Sequence, residues 1–193
     1  MRLKAPQRRE QLMEVATKLF AKHGYEATTT AAIAEAAGVT EPILYRHFKS
    51  KQELFVAIVR EMSDQTLANW RTLTADADNA TDRIRRVAEA FPRHLQKLGD
   101  AYHVIHGALS TSRDPKVLKV MREHYQQIED FFVGVVTEGQ ISGIFRRDMD
   151  PRVPAWQLIN IGIGHAMVSL NLSQFDQPLI AQGIEFLLRG LKP

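Results

Sequence analysis

Along nearly all of this 193-residue chain the apolar residues recur at helical spacing, and that pattern constrains the fold more than any other feature. Leu12, Val15, Ala16, Leu19 and Phe20 share one face of a first helix, and Gly24 stands where such a helix would end. Ile33, Ala34 and Ala37 define a short second helix before Gly38, and Leu44 and Phe48 a short third. Leu54, Phe55, Ile58, Val59 and Met62 open a fourth that runs to about Leu73. After the polar connection Asp76-Ala77-Asp78-Asn79, a stripe of Ile84, Val87, Ala88, Phe91, Leu95 and Leu98 carries Pro92 inside it, where a kink is expected. Residues 101–112 read as a short helix ended by Asp114-Pro115. Leu118, Met121, Tyr125, Ile128, Phe132 and Val135 mark a long one ending near Gly139 to Gly143. Two further helices fit 151–172 and 178–191, separated by the Pro178 region. Period-two alternation and hairpin dipeptides are missing, so the expected fold is all-α with about nine helices.

Composition narrows the function classes. A hydrophobic share of 45% and a charged share of 24% are enough for an ordinary globular core. With no cysteine there is no disulfide, no thiol nucleophile and no Cys-based zinc site. The start, Met1-Arg2-Leu3-Lys4-Ala5-Pro6, is basic without an apolar stretch behind it, and no apolar run is long enough to span a bilayer. The cytoplasm is therefore the expected location, and no membrane partner is expected. Charge is unevenly spread: residues 1–60 hold ten Lys/Arg against six Asp/Glu, while the remainder is near neutral. A basic first third suits a nucleic-acid partner.

That basic third contains three short helices, the last two joined by the tight turn Ala37-Gly38-Val39-Thr40. This is the form of a helix-turn-helix. Gly38 can take the positive φ of the reversal, Val39 can plug the gap between the helices, and Thr40 can cap the next one. Burying Leu44 and Phe48 turns Glu41, Pro42, Tyr45 and Arg46 outward, with Ile43 partly so. Ser50-Lys51-Gln52-Glu53 has the form of a capping box, and Thr29 offers a similar cap to the second helix. Three helix starts, with Arg46, His47 and Lys51, are thus available to hold phosphates.

Residues 24–54, GYEATTTAAIAEAAGVTEPILYRHFKSKQEL, closely resemble the N-terminal signature of the TetR family of repressors. The matching pieces are Gly24-Tyr25, Thr28-Thr29, Ile33-Ala34, Ala37-Gly38-Val39-Thr40, Leu44-Tyr45-Arg46-His47-Phe48 and Lys51, and the likeness covers about residues 8–60. Further on, Gly143-Ile144-Phe145-Arg146, Asp150-Pro151 and the closing 187–193 stretch are weakly similar. The resemblance implies a DNA-binding part at 1–52, an effector-binding and dimerising part at 53–193, and a homodimer on a pseudo-palindromic operator. It implies base reading by Ala31, Glu41, Pro42, Ile43 and Tyr45, and phosphate contacts from Thr29, Thr30, Thr40, Tyr45, His47 and Lys51. Two positions depart from the family pattern: Ala31 offers only a methyl group, and Glu41 is acidic. Glu41 either accepts from cytosine N4 or simply starts its helix, favoured by the dipole.

For the second part the resemblance implies a pocket for a partly apolar small molecule. Trp70, Phe91, His94, Tyr102, His103, His106, Tyr125 and Phe132 combine apolar area with polar tips. Phe91, Tyr125 and Phe132 serve equally well as plain core, and His94 reads as partly exposed. His103 and His106 share a helical face, yet Asp100 is the only carboxylate close by, so no metal and no cofactor are expected. The dimer face is assigned to Trp156, Ile159, Gly162, Ile163, Ala166, Met167 and Leu170, with Gly183, Phe186 and Leu187 completing it. Packing within one subunit is the alternative. The chain carries no nucleophile elbow, phosphate loop or HExxH, so an enzyme is not expected. A constitutive or architectural DNA-binding protein without an effector is the remaining rival.

Overall fold

A computed structural model describes residues 3–172 and 177–193. The Met1-Arg2 start and residues 173–176, within the link before the last helix, lie outside the described residues, as do the side chains of residues 177–179 around Pro178. Eight helices are present among the described residues: α1 Ala5–His23, α2 Thr30–Ala36, α3 Glu41–His47, α4 Lys51–Thr74, α5 Ala80–Thr111, α6 Pro115–Ile141, α7 Arg152–Leu172 and α8 Gln177–Gly190. The count falls one short of the nine expected because the stripe at 84–98 and the segment 101–112 form one element, α5. Its break is at Leu98 (φ −113°, ψ 18°), next to Gly99, and not at Pro92. Asp114-Pro115 separates α5 from α6 as expected, and its carboxylate accepts from the N–H groups of Lys116 (2.8 Å) and Val117 (3.3 Å), capping α6.

The chain packs as two compact units. One comprises residues 1–62 and 99–124, the other residues 63–98 and 125–193. Helices α4, α5 and α6 each run from one unit into the other, so part of the long middle helices packs with the N-terminal segment.

In the first unit the core is made by Leu12, Ala16, Phe20, Ile33, Leu44, Phe48, Leu54 and Phe55, all buried. Phe20, Tyr25 and Phe55 form an aromatic cluster with ring centroids 4.9–6.1 Å apart. Each large side chain buried in this way contributes about 1.5–3 kcal/mol. Gly24 ends α1 at φ +82°, with its N–H on the Phe20 carbonyl. The second unit buries Trp70, Ile84, Val87, Phe132, Val136, Phe145, Leu158, Ile159 and Leu188 in one cluster. Within it α7 buries Ala155, Leu158, Ile159 and Ala166 and also carries apolar residues on its exposed surface, Val153, Trp156, Met167 and Leu172.

Candidate DNA-binding site

Helix α2 begins at Thr29, whose hydroxyl accepts from the Ala32 N–H at 3.1 Å. It ends in a tight reversal. The N–H groups of Ala37, Gly38 and Val39 reach back to the carbonyls of Ile33, Glu35 and Ala34 at 2.9–3.0 Å. Gly38 sits at φ +66°, where a side chain would strain the backbone by about 1–2 kcal/mol. Helix α1 braces the turn: Gln11 donates to the Ala37 carbonyl at 3.3 Å. Arg9 lies 4.7 Å over the Phe48 ring, at the end of α3.

Helix α3 follows at once. Leu44 and, just past the end of α3, Phe48 are completely buried, and this rotates Pro42, Tyr45 and Arg46 into solvent while Glu41, Ile43 and His47 stay half-buried. Tyr45 is 46% exposed, unusual for so large a ring. Thr40 occupies the cap position, but its side chain makes no capping hydrogen bond. Its hydroxyl is therefore not committed to the helix it precedes. Ala31 is exposed on α2 as a bare methyl group.

A small network ties α2 to α3. The Thr30 hydroxyl donates to Glu41 Oε1 at 2.5 Å, and the Thr30 and Tyr45 oxygens are 3.2 Å apart. A carboxylate only accepts, so the single Thr30 proton is used there and the Tyr45 hydroxyl must donate to Thr30. Both readings of Glu41 described above assigned it no partner on α2; the structure supplies one. The start of α4 differs in detail from the expected box. Ser50 Oγ accepts from the Glu53 N–H at 3.1 Å, but Glu53 Oε2 accepts from Lys49 N–H at 2.8 Å, one residue further back. Lys51 turns toward the α1–α2 loop, donating to the carbonyls of Tyr25 (2.8 Å) and Glu26 (3.1 Å) with its ammonium 4.5 Å above the Tyr25 ring. Burial, followed by the charges of Asp114 and Glu26, pushes the Tyr25 phenol up to about 12, so it stays neutral beneath that ammonium. Gln52 donates to Asp114, pinning α4 to the start of α6.

The eight residues read as a ligand pocket divide between the units. Tyr102, His103 and His106 belong to the first and are half-buried. Tyr102 stacks on His106, with centroids 6.1 Å apart. His106 Nε2 is buried without a hydrogen-bond partner among the described residues. Burial, then the His103 charge, holds His106 below its ordinary value. Sequence reasoning missed His124, which is buried in the same unit and is held at about 4 by burial and then by His106. In the second unit Trp70 and Phe132 are core, with Trp70 5.2 Å from both Phe131 and Phe132. Tyr125 is half-buried against that core, and Phe91 packs on the His165 ring at 5.8 Å. His94 is buried rather than partly exposed, because its Nε2 meets Thr66 Oγ1 at 3.0 Å inside the unit. No group of three or more potential metal ligands occurs among the described residues.

The residues read as a dimer face separate into three sets by burial. Ile159 and Ala166 are buried in their own unit. Gly162, Ile163, Leu170, Gly183 and Leu187 are half-buried. Trp156 (37%), Met167 (48%) and Phe186 (81%) are exposed. No described helix is long and apolar enough to cross a membrane.

Residues 12–58 match the bacterial regulatory proteins of the tetR family. The HTH-type transcriptional repressor KstR2 of Rhodococcus jostii is 30% identical over 150 residues, covering 74% of this chain and 70% of its own length. The chain belongs to the tetR family. It is a DNA-binding transcriptional regulator with an N-terminal helix-turn-helix and a helical C-terminal part. The HTH-type transcriptional activator FasR of Mycolicibacterium smegmatis is 34% identical over 104 residues, a match spanning 54% of this chain and 48% of FasR. In fold, the solved structure of the ketosteroid transcriptional regulator KstR2 of Mycobacterium tuberculosis superposes with a TM-score of 0.76 over 98% of this chain and 97% of that one, at 23% identity.

Proposed function

We propose that this regulator binds a pseudo-palindromic operator as a homodimer, represses, and is released by a partly apolar small molecule. The observation that carries the reading is the outward face of α3: Pro42, Tyr45 and Arg46 in solvent above a fully buried Leu44 and Phe48. A rigid helix with an exposed N-terminal face is what enters a major groove. Bases are read by Ala31, Pro42, Ile43 and Tyr45, while Glu41, on the same face, is held by Thr30 and positions α3 against α2. Phosphates are held by Thr29, Thr30, Thr40, Tyr45, His47 and Lys51, with the uncommitted Thr40 hydroxyl and exposed Arg46 best prepared. Lys51 must leave the Tyr25 and Glu26 carbonyls, or reach a phosphate with its remaining donor.

Residues 1–52 do the reading, and 53–193 bind effector and partner. In the dimer two recognition helices engage successive grooves about 34–36 Å apart. An effector releases the operator only by its differential affinity for a form with another spacing. Repression is favoured by the likeness to KstR2, which extends over 150 residues against 104 for the activator FasR. The dimer reading is supported by α7, whose apolar surface continues onto the exposed Trp156 and Met167. Large apolar side chains left exposed together on a helix are commonly covered by a partner.

The test is fluorescence anisotropy with the DNA upstream of the protein's own gene, against scrambled DNA, in a salt series. The expected result is a marked preference for the upstream DNA, with log affinity falling by about 0.9 per phosphate contact for each tenfold rise in salt. Equal binding to scrambled DNA would turn the conclusion toward an architectural protein.

A further inference from the structure

Along α5, the arginines of the second unit are almost all neutralised. Arg83 pairs with Glu138 and Arg85 with Glu185, each at 2.5 Å. Arg86 pairs with Asp76 at 2.5 Å and Asp82 at 2.9 Å. Further along the same helix, Arg93 and Lys97 have no ion-pair partner among the described residues, and both line a cleft of about 290 Å³. One wall of that cleft is Gln65, Asn69 and Leu73, four residues apart on α4. The other is Ala90, Arg93, His94, Lys97 and Leu98, spaced by three and four on α5. No carboxylate lines it. By contrast, the larger open cleft of the same unit, about 650 Å³, is lined by two carboxylates, Asp64 and Asp130, against the single cation Arg71, so its charge does not favour an anion.

We infer that the α4–α5 cleft binds an amphipathic anion, a carboxylate or phosphate head on a short alkyl chain. Arg93 and Lys97 hold the head, since guanidinium and ammonium donors suit an anionic oxygen. Asn69 adds an amide donor at the rim. Leu73, Ala90 and Leu98 cover the chain, and the cavity is at the small end of ligand sites, which limits it to a chain of modest length. His94 is a wall rather than a third cation. Its ring is fixed on Thr66, and burial, then the Lys97 charge, keeps it neutral at physiological pH. This rests on the proposal that the protein answers to a small effector, and it names the chemical class of that effector.

The test is calorimetric titration of the full chain with octanoate, octyl phosphate and the neutral octanol, alongside the operator measurement above. At least one anion is expected to bind, the tighter of the two naming the head group, and octanol to bind much more weakly. R93Q/K97Q should weaken the anion about tenfold, whereas R71Q, in the other cleft, should not. Both cations are exposed and unpaired, so their loss leaves the fold intact. Failure of both anions to bind the wild-type chain would overturn the inference, as would equal binding by the double variant or by octanol. If the anion binds as described but leaves operator affinity unchanged, the cleft stands and the effector reading fails. If another compound releases the operator while the anions do not bind, the reverse holds.

Discussion

At the scale of single residues, the helix-turn-helix shows where a local motif stops being informative. Thr29, Gly38 and the buried pair Leu44 and Phe48 take the roles that spacing assigns them, because each role depends on neighbours within a few positions. Glu41 and Lys51 do not, because their partners are 11 and 25–26 positions away. The Thr30–Glu41 hydrogen bond makes Glu41 a positioning group between α2 and α3, and this has a measurable signature. If Glu41 acts through Thr30, the losses of operator affinity in T30V and E41A will not add. A double-mutant cycle should return a coupling of about 1 kcal/mol, near fivefold in affinity. Additive losses, with relaxed preference at one operator base pair for E41A alone, would show that the carboxylate reads a base instead.

At the scale of elements, apolar periodicity finds helices better than it finds their breaks. All eight are foreshadowed by stripes in the sequence, yet the kink assigned to Pro92 is at Leu98, six residues on. Proline removes one N–H and crowds the preceding turn, but packing on both sides of a helix can hold it through such a defect. On α5 the chain crosses between the two packing units at 98/99, and Gly99, a poor helix former, offers little resistance there. The end of α6 illustrates a constraint that no stripe reveals. Gly139 is read from sequence only as part of a helix end, whereas a Cβ there would overlap the buried Phe145 ring and meet Ala80 Cβ at 3.0 Å. Both Ile144 and Phe145 also direct their N–H groups to the Gly139 carbonyl. G139A should therefore destabilise by about 1–3 kcal/mol, the usual cost of overpacking. Urea denaturation would show it as a lower midpoint, and G134A, where a Cβ meets nothing within 4 Å, should show no such drop.

At the scale of the whole molecule, the family string makes the fold legible. Burial of the histidines and the division of the pocket residues between two units depend on long-range packing and are not legible from spacing. The exposed apolar residues of α7 and α8 bear on assembly. M167D and F186D replace side chains that are 48% and 81% exposed, so neither should disturb the subunit core. Sedimentation velocity should find the double variant monomeric, with unchanged helical circular dichroism. A persistent dimer would move the interface off these helices. The buried histidines and half-buried His106 make stability depend on pH. His94, His106, His124 and His165 are all held below the ordinary value of 6.5, each chiefly by burial, and His124 lies at about 4. The folded chain keeps these rings neutral where the unfolded chain already binds protons. Their contribution is therefore complete above about pH 6.5 and declines as pH falls toward the lowered values. For His124 alone the drop from 6.5 to about 4 corresponds to on the order of 3 kcal/mol. Urea midpoints should fall steadily across that window, and H124Q should flatten the slope whatever it does to the midpoint at neutral pH. A variant with the wild-type slope would mean that the acid sensitivity arises from other groups.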